Sequence, residues 1–236
     1  TGEYGAIKYL SDAKGNKLKL TEAYEKPQDG INMSLTINYK LQAVVERELD
    51  NAVKRYNPDQ ALAIAMNPKT GEILAISSRP NFSPSNYKKY STEQINRNLP
   101  IWATYEPGST FKIITLATAL QEQLVDLDKD TFDDGGSIRV ENARIKCWKA
   151  GGHGHQTFLQ VVENSCNPGF VTLGQRIGKD KLFEYINKFG FGKKTGVDLN
   201  GESSGILFSL DKVGPVELAT TAFGQGVSVT PIQQIT

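Results

Sequence analysis

A serine and a lysine stand three residues apart in the segment YEPGSTFK, which covers residues 105–112. If Ser109 and Lys112 lie on one helix, their side chains share a face about one turn apart. A serine hydroxyl is a weak nucleophile until a base takes its proton, and a lysine can be that base when burial lowers its pKa. The pattern alone is not specific, because it occurs three more times in polar segments that are typical of solvated loops. These other pairs are Ser11/Lys14, Ser85/Lys88 and Ser209/Lys212.

A second polar set follows in Ser165-Cys166-Asn167, and no other Ser-x-Asn occurs in the chain. It lies between two stretches with helical periodicity, so it is expected to form a loop. Such a loop could present the hydroxyl of Ser165 as a proton relay and the amide of Asn167 as a partner for a substrate carbonyl. Taken alone, an ordinary helix-capping loop explains the same residues.

Every histidine and every cysteine of the chain falls between Lys146 and Gly169, with the spacing C-x5-H-x-H-x10-C. The four residues are Cys147, His153, His155 and Cys166. Zn²⁺ accepts two thiolates and two imidazoles in a tetrahedron, and glycines between them leave the backbone free to wrap around an ion. The alternatives are a Cys147–Cys166 disulfide, or free thiols with unrelated solvent-facing histidines. The sequence favours a structural zinc site, because a disulfide leaves His-Gly-His unexplained. Four protein ligands would close the coordination sphere, which argues against a catalytic zinc.

Composition excludes several classes of protein. Lys and Arg number 27 against 26 Asp and Glu, and no basic run is present, so a nucleic-acid partner is not expected. No run of about 18 apolar residues could span a bilayer, and no secretory leader is present. The chain begins at Thr1 and stops within TPIQQIT, where a helix is beginning. We therefore expect a fragment of a longer protein.

The elements that must position these residues can be read from periodicity. Residues 1–30 are polar and turn-rich and are predicted to be the end of an N-terminal linker region, followed by a partial domain over residues 31–236. Alternation over Asn32–Ile37 predicts a strand, and spacing from Tyr39 predicts an amphipathic helix that ends near YNPD. ALAIAM and EILAIS flank NPKTG and predict an antiparallel hairpin.

The second half of the chain is dominated by helical patterns. A buried helix is predicted to begin at Ser109, which would lie at or next to its N-cap. A short strand is predicted at SIRV, then three short helices in TFLQVVEN, PGFVTLGQRIG and KDKLFEYINKFG, and a further helix in VELATTAFGQG. Strands followed by many helices indicate an α+β domain.

Several blocks occur together in one order: TGEYGAIKYL, NPKTGEILAISSRPNF, YEPGSTFK, ENSCNPGF, FGFGKKTGVDLNGE and TAFGQGVSVTP. Together they resemble the transpeptidase domain of class B penicillin-binding proteins, nearest to the division and sporulation types, and the resemblance runs across almost the whole chain. It implies the penicillin-binding/serine β-lactamase-like transpeptidase fold, an antiparallel sheet flanked by helices, with the C-terminal part of the domain missing from the sequence.

The resemblance also implies roles for the polar sets. Ser109 would attack the D-Ala-D-Ala amide of a stem peptide, Lys112 would activate it, Ser165 would pass the proton to the departing D-alanine, and Asn167 would bind the peptide backbone. The family's third motif, Lys-Thr/Ser-Gly on a strand, is spelled by Lys194-Thr195-Gly196. We do not assign it there, because those residues match a different block, and we expect the true motif after residue 236.

The implied function is a serine D,D-transpeptidase that cross-links peptidoglycan stem peptides and is trapped by β-lactams. The alternatives are a serine β-lactamase or D,D-carboxypeptidase that uses water as acceptor, and a non-catalytic β-lactam sensor or wall-synthesis scaffold. The resemblance further implies an extracytoplasmic domain at the cell membrane, anchored by an N-terminal segment outside this sequence. Glycosyltransferase or divisome-type membrane partners are implied, and no organic cofactor. If zinc holds Cys166, it would also fix the loop that carries Ser165 and Asn167.

Overall fold

The computed structural model describes residues 2–18 and 23–236, and the chain divides into two units, Thr1–Thr36 and Ile37–Thr236. The first unit contains strands β1 (Ala6–Lys8) and β2 (Ala23–Glu25), which pair antiparallel. The predicted linker region over residues 1–30 falls in this unit, although residues 1 and 19–22 lie outside the described part. The domain boundary at residue 30 stays a prediction.

The second unit holds the remaining strands and the helices. The strands are β3 (Ala61–Met66), β4 (Ile73–Arg79), β5 (Thr131–Asp134), β6 (Ser137–Val140), β7 (Ala143–Lys146) and β8 (Gly154–Thr157). They form the antiparallel pairs β3–β4, β5–β8 and β6–β7. The helices are α1 (Tyr39–Tyr56), α2 (Thr92–Asn96), α3 (Leu99–Trp102), α4 (Lys112–Gln121), α5 (Phe158–Glu163), α6 (Asn167–Ile177), α7 (Lys179–Lys188), α8 (Pro215–Thr221) and α9 (Pro231–Ile235). Short 3₁₀ turns cover Pro84–Lys89, Gly108–Phe111 and Leu210–Lys212.

Helix α1 and the β3–β4 hairpin confirm two predictions from the sequence. The Asn38 side chain accepts from the Leu41 N–H and caps the start of α1, while Asn57 ends it in the left-handed region at φ 45°. The predicted hairpin is present, with Ala61 opposite Arg79. Arg79 then ties the hairpin to α1, because its guanidinium contacts carboxylates of that helix.

The strand predicted over Asn32–Ile37 is wrong. The structure assigns no strand to these residues, and the side chains of Met33 and Leu35 are exposed. Alternation indicates a strand only when one face of it is buried, and that condition is not met for this segment.

The hydrophobic core lies among α4 and the helices that follow it. The predicted strand at SIRV is β6, the three predicted short helices are α5, α6 and α7, and the VELATTAFGQG helix is α8. Their apolar residues share one cluster in which the largest fully buried side chains include Phe111, Phe158, Phe170, Leu173 and Leu182. Helix α6 packs against both α4 and α8. The α+β class with antiparallel strands is therefore confirmed, and α4 begins inside this core.

Candidate active site

Ser109 lies in the 3₁₀ turn Gly108–Phe111, which leads directly into α4 at Lys112. The sequence predicts a single helix with Ser109 near its N-cap, so the tighter lead-in turn is a difference. A 3₁₀ helix has about three residues per turn, so side chains at positions i and i+3 eclipse each other. The turn therefore places Lys112 directly under Ser109, with Nζ 3.2 Å from Oγ. Ser109 is exposed, whereas Lys112 is only 4% exposed.

The turn that carries Ser109 is held by the segment after α8. The Gly108 N–H donates to the Gly224 carbonyl at 2.9 Å, and a Cβ on Gly224 would stand 2.1 Å from the Gly108 carbonyl oxygen. Gly224 also has φ 81°, which glycine adopts without strain. On the inner side, the fully buried Phe111 meets the Phe191 ring edge-on at 5.2 Å between centroids. The turn that carries Ser109 is thus fixed from both sides.

The side-chain nitrogen of Lys112 lies within hydrogen-bond distance of the polar groups that the sequence singles out. Its Nζ lies 2.9 Å from Ser165 Oγ, 2.7 Å from the Ser165 carbonyl oxygen and 2.7 Å from Asn167 Oδ1. With Ser109 Oγ this makes four oxygens around a group that has three hydrogens when charged. In the neutral amine, the two hydrogens suffice for the shortest two bonds, and the lone pair is left to accept a hydroxyl proton. The structure thus brings Ser109, Lys112, Ser165 and Asn167 together.

Burial lowers the pKa of Lys112 to about 8. Lys112 lies among neutral oxygens and under the Phe170 ring, with Nζ 5.2 Å from the ring centroid. A buried charge without an opposite charge beside it loses hydration that neutral dipoles only partly replace. The neutral amine is therefore accessible near physiological pH, which is what a general base requires.

Ser165 lies between α5 and α6, and Asn167 begins α6; we call residues 164–167 the Ser165 loop. Ser165 has φ 48°, in the left-handed region that a non-glycine residue seldom adopts. The Cys166 N–H donates to the Val161 carbonyl at 3.0 Å, so the loop folds back onto α5. Asn167 is the first residue of α6 and Pro168 follows it, in keeping with the preference of proline for the first turn of a helix.

Lys194-Thr195-Gly196 lies in a loop and not on a strand. Thr195 donates to Glu202 from both its N–H and its hydroxyl, each at 2.6 Å, and the Gly196 N–H reaches the other carboxylate oxygen at 3.2 Å. These donors are already used by a carboxylate of the same chain. They are therefore not available for a substrate.

Three of the four predicted metal ligands meet in one cluster, and an aspartate completes it. Asp134, Cys147, His153 and Cys166 place one ligand atom each within 4.8 Å of one another. Asp134 Oδ2 lies 2.9 Å from His153 Nδ1 and 3.4 Å from Cys166 Sγ, and Cys147 Sγ lies 3.4 Å from His153 Nδ1. The other ring nitrogen of His153, Nε2, is buried and has no hydrogen-bond partner among the described residues. Both cysteines are free thiols, so the disulfide alternative is not formed in this structure.

His155, the fourth predicted ligand, lies outside this cluster. In the β5–β8 pair it stands opposite Asp133, and its Nδ1 is 2.8 Å from the Asp133 carboxylate, with both side chains exposed. Gly154 has φ 74°, so the backbone between the two histidines is not extended and they do not share a strand face. Asp133 and Asp134, as neighbours on a strand, point to opposite faces. The cluster therefore takes Asp134 in place of His155.

Burial also acts on the cluster. It raises the pKa of Cys166 to about 12 and raises that of Cys147. Burial opposes the charged form of Asp134 as well, but hydrogen bonds from Cys147, His153 and the Gly136 N–H outweigh it and hold the pKa of this carboxyl below its usual range. The cluster therefore places one carboxylate beside two thiols and an imidazole, which are all groups that can bind a proton or a cation.

Asp134 is the site residue that sequence reasoning misses, since Asp133-Asp134-Gly135-Gly136 is typical of a polar turn. In the structure Asp134 ends β5 and is buried, and it stands opposite Gly154. The signal would have been the pairing of TFDD with GHQT, which brings an acidic residue beside the histidine segment. That pairing is a long-range contact and is not encoded in the local pattern.

Known proteins resemble this chain over most of its length. Residues 61–236 match the penicillin binding protein transpeptidase domain. Stage V sporulation protein D of Bacillus subtilis is 62% identical over 99% of this chain and 36% of its own length. Peptidoglycan D,D-transpeptidase FtsI of Escherichia coli is 31% identical over 96% of this chain and 39% of its own length. The chain therefore spans little more than a third of these relatives.

A solved structure gives the same result for the fold. Penicillin Binding Protein 2X from Streptococcus thermophilus superposes with a TM-score of 0.80 at 31% identity, covering 99% of this chain and 34% of that protein. The predicted transpeptidase fold, with antiparallel strands and flanking helices, is confirmed. Among residues 2–18 and 23–236, no helix combines the length and apolar character that crossing a bilayer requires.

Proposed function

Because the chain belongs to the penicillin binding protein transpeptidase family, we propose that it forms the acylating part of a serine D,D-transpeptidase that cross-links peptidoglycan stem peptides. The observation that carries the proposal is the position of Lys112. Its buried Nζ lies within hydrogen-bond distance of Ser109 Oγ, Ser165 Oγ and Asn167 Oδ1, and its pKa is lowered to about 8.

In the proposed reaction, neutral Lys112 takes the hydroxyl proton of Ser109 while Oγ attacks the carbonyl carbon of the penultimate D-alanine. The tetrahedral intermediate collapses when its bond to the terminal D-alanine nitrogen breaks. That nitrogen must gain a proton to leave, and Ser165 Oγ, 2.9 Å from Lys112 Nζ, can pass it on. An acyl ester on Ser109 remains. The amine of a second stem peptide attacks its carbonyl carbon, the bond to Ser109 Oγ breaks, and Oγ regains the proton that the amine loses, so the cross-link forms and the free serine is restored.

Asn167 is proposed to orient the stem peptide. Its Oδ1 is bonded to Lys112, so the amide nitrogen is directed away from the lysine and can donate to a peptide carbonyl. Its position on the first turn of α6 fixes the backbone on which the amide stands. A β-lactam would enter by the same route and leave Ser109 as a stable ester.

A fluorescent penicillin tests this assignment on the full-length protein, with the adduct located by peptide mapping. We expect the label on Ser109 and no label on Ser109→Ala. The matched control is Ser209→Ala, which removes an exposed serine from another Ser-x-x-Lys pair and should label like the wild type. An adduct on another residue, or undiminished labelling of Ser109→Ala, would contradict the proposal.

The fate of the ester separates the transpeptidase from its alternatives. With a stem-peptide donor and an amine acceptor, a transpeptidase gives the cross-linked dimer and one D-alanine per turnover. A D,D-carboxypeptidase gives the shortened peptide instead, a β-lactamase releases hydrolysed penicillin within seconds to minutes, and a sensor or scaffold gives no product from the stem peptide. The cross-linked product is the expected result, measured by mass spectrometry.

The setting of the reaction is also proposed from the relatives. Identity is 62% to stage V sporulation protein D and 31% to FtsI, so we propose that the whole protein acts in wall synthesis during sporulation rather than in division. We place its domain on the extracytoplasmic face of the cell membrane, where stem peptides are found, with an anchor and a glycosyltransferase partner supplied outside this sequence. A deletion strain that divides normally but forms spores without cortex would support this assignment, and a division defect would contradict it.

We further propose that the cluster of Asp134, Cys147, His153 and Cys166 holds a structural zinc ion. Two sulfurs, an imidazole and a carboxylate are a donor set that Zn²⁺ accepts, and the tetrahedral edge for sulfur ligands is about 3.8 Å. The ligand atoms lie within 4.8 Å of one another and are therefore already near this spacing. The buried Nε2 of His153 also has no hydrogen-bond partner among the described residues. When bound, the ion would tie the ends of β5 and β7 to the start of α6, and so to the Ser165 loop.

The choice between Asp134 and His155 gives this proposal a matched test. We expect about one zinc per chain in the wild type, loss of zinc in Asp134→Asn and in His153→Ala, and full zinc content in His155→Ala. Inductively coupled plasma mass spectrometry on the purified full-length protein gives the content, and the melting temperature should fall only where zinc is lost. A wild type purified without chelators that contains no zinc, or zinc lost from His155→Ala instead, would contradict the assignment.

A further inference from the structure

Trp148 contacts both the metal-ligand cluster and the Ser165 loop, although its side chain is 66% exposed. It follows Cys147 just after β7. Its indole Nε1 donates to the backbone carbonyl of Asn164 at 2.8 Å, and its ring meets the His153 ring edge-on with 5.3 Å between centroids. Because most of the Trp148 side chain is exposed, this residue is not part of the hydrophobic core, and its two contacts indicate a different role.

The bond to Asn164 acts on the residue that follows it. The Asn164 carbonyl and the Ser165 N–H belong to one planar peptide group. The N–H of that group donates to the Val162 carbonyl at 3.0 Å, and Trp148 holds its oxygen. Both polar ends of the peptide plane before Ser165 are therefore occupied, and the plane cannot turn without losing a hydrogen bond.

The orientation of this plane decides where the Ser165 side chain lies. Ser165 has φ 48°, and a non-glycine residue leaves this region unless its surroundings hold both neighbouring peptide groups. On the far side, the Ser165 carbonyl accepts from Lys112 at 2.7 Å and the Cys166 N–H is bonded to α5. Trp148 fixes the peptide group that precedes Ser165, through its hydrogen bond to the Asn164 carbonyl. If the near plane rotates, the Ser165 Oγ leaves its position 2.9 Å from Lys112 Nζ.

We propose that Trp148 is a positioning residue for acylation: through the Asn164 carbonyl, its indole N–H keeps the Ser165 hydroxyl within reach of Lys112. This inference rests on the proposed function, because it concerns the same proton relay. It is separate from the metal site, since any aromatic ring at this position keeps an edge contact with His153, whereas only the indole N–H serves the Ser165 loop.

The test replaces the indole in the full-length protein with a ring that has no donor. Trp148→Phe is compared with Trp102→Phe, which changes the other tryptophan of the chain. Trp102 is stacked under Arg97 and lies on α3, a helix that packs against α9, β3 and β4. Stopped-flow labelling with a fluorescent penicillin gives separately the dissociation constant of the first complex and the first-order acylation rate. We expect Trp148→Phe to lower the acylation rate about five- to tenfold, the size of one lost hydrogen bond, with the dissociation constant and zinc content unchanged. Trp102→Phe should acylate at the wild-type rate.

Each outcome bears on the inference. An unchanged acylation rate in Trp148→Phe overturns it, and so does a rate that falls only in proportion to a loss of folded protein, since that reports a structural role alone. If Trp148→Phe folds poorly, 3-benzothienylalanine at this position keeps the bicyclic ring, replaces the N–H by sulfur and must show the same loss of rate. A wild type without label on Ser109 would overturn the proposed function together with this inference. A labelled wild type that Trp148→Phe equals in rate overturns the inference alone.

Discussion

The proposed acylation of Ser109 should depend on pH through the buried amine of Lys112. Burial lowers its pKa from 10.5 to about 8, and at about 1.4 kcal/mol per pKa unit this disfavours the charged form by about 3 kcal/mol. The protonated amine cannot accept the Ser109 proton, so the rate follows the neutral fraction. That fraction is about 1% at pH 6, about 10% at pH 7 and about 50% at pH 8 for a pKa of about 8. We therefore expect the second-order acylation rate to rise about fiftyfold from pH 6 to pH 8 and only about twofold from there to pH 9.

The assay is stopped-flow labelling with a fluorescent penicillin over this range, with the melting temperature recorded at each pH. His155→Gln is the control, because the exposed His155 side chain contacts Asp133 and not Lys112, so its removal should leave the curve unchanged. With an ordinary lysine pKa the rate would still climb about tenfold per unit beyond pH 9. A curve that climbs in this way, or one that is flat between pH 6 and pH 8, would refute Lys112 as a buried neutral base.

Two further predictions concern the supports of the site. Gly224→Ala should lower the free energy of unfolding by about 3 kcal/mol, because it combines a left-handed φ with a Cβ 2.1 Å from the Gly108 carbonyl. Gly201→Ala, with φ 89° and open space, should cost only about 1 kcal/mol in the same denaturant titration, and equal losses would contradict the close-approach argument. Glu202→Gln should cost about 1–3 kcal/mol, because the buried carboxylate accepts three hydrogen bonds around Thr195 and an amide offers one oxygen fewer. A melting temperature within about 1 °C of the wild type would show that these bonds contribute little.

Local periodicity predicts most of the helices and the hairpin, because each of them pairs a clear apolar spacing with end signals such as Asn38 before α1. The proximity of Ser109 and Lys112 is equally local, since any helical turn brings positions i and i+3 together. Their meeting with Ser165 and Asn167 is not local. It depends on the packing of α6 against α4, and the sequence indicates it only through the family resemblance.

The cluster shows where sequence reasoning fails in detail. Spacing identifies Cys147, His153 and Cys166 but exchanges His155 for Asp134, because the positive φ of Gly154 and the register of β5 with β8 decide which side chains turn inward. These are properties of backbone conformation and strand pairing. The number of residues between two ligands in the sequence does not determine either of these properties.

Two buried cations of the second unit, Arg79 and Lys112, have pKa shifts in opposite directions, and their neighbours differ in charge. Arg79 contacts the carboxylates of Asp50 at 2.7 Å and Glu46 at 2.6 Å, and these hydrogen bonds raise its pKa although burial opposes them. Lys112 is buried to a similar degree but is surrounded by hydroxyl, carbonyl and amide oxygens, and its pKa falls. A carboxylate within about 4 Å would stabilise the ammonium and remove the base from the accessible pH range. Neutral acceptors hold the amine in position without stabilising its charged form. The exchange Asn167→Asp should therefore retain the fold, raise the pH at which acylation begins and slow the reaction at pH 7, and a profile that does not move would show that the charge of this neighbour is immaterial.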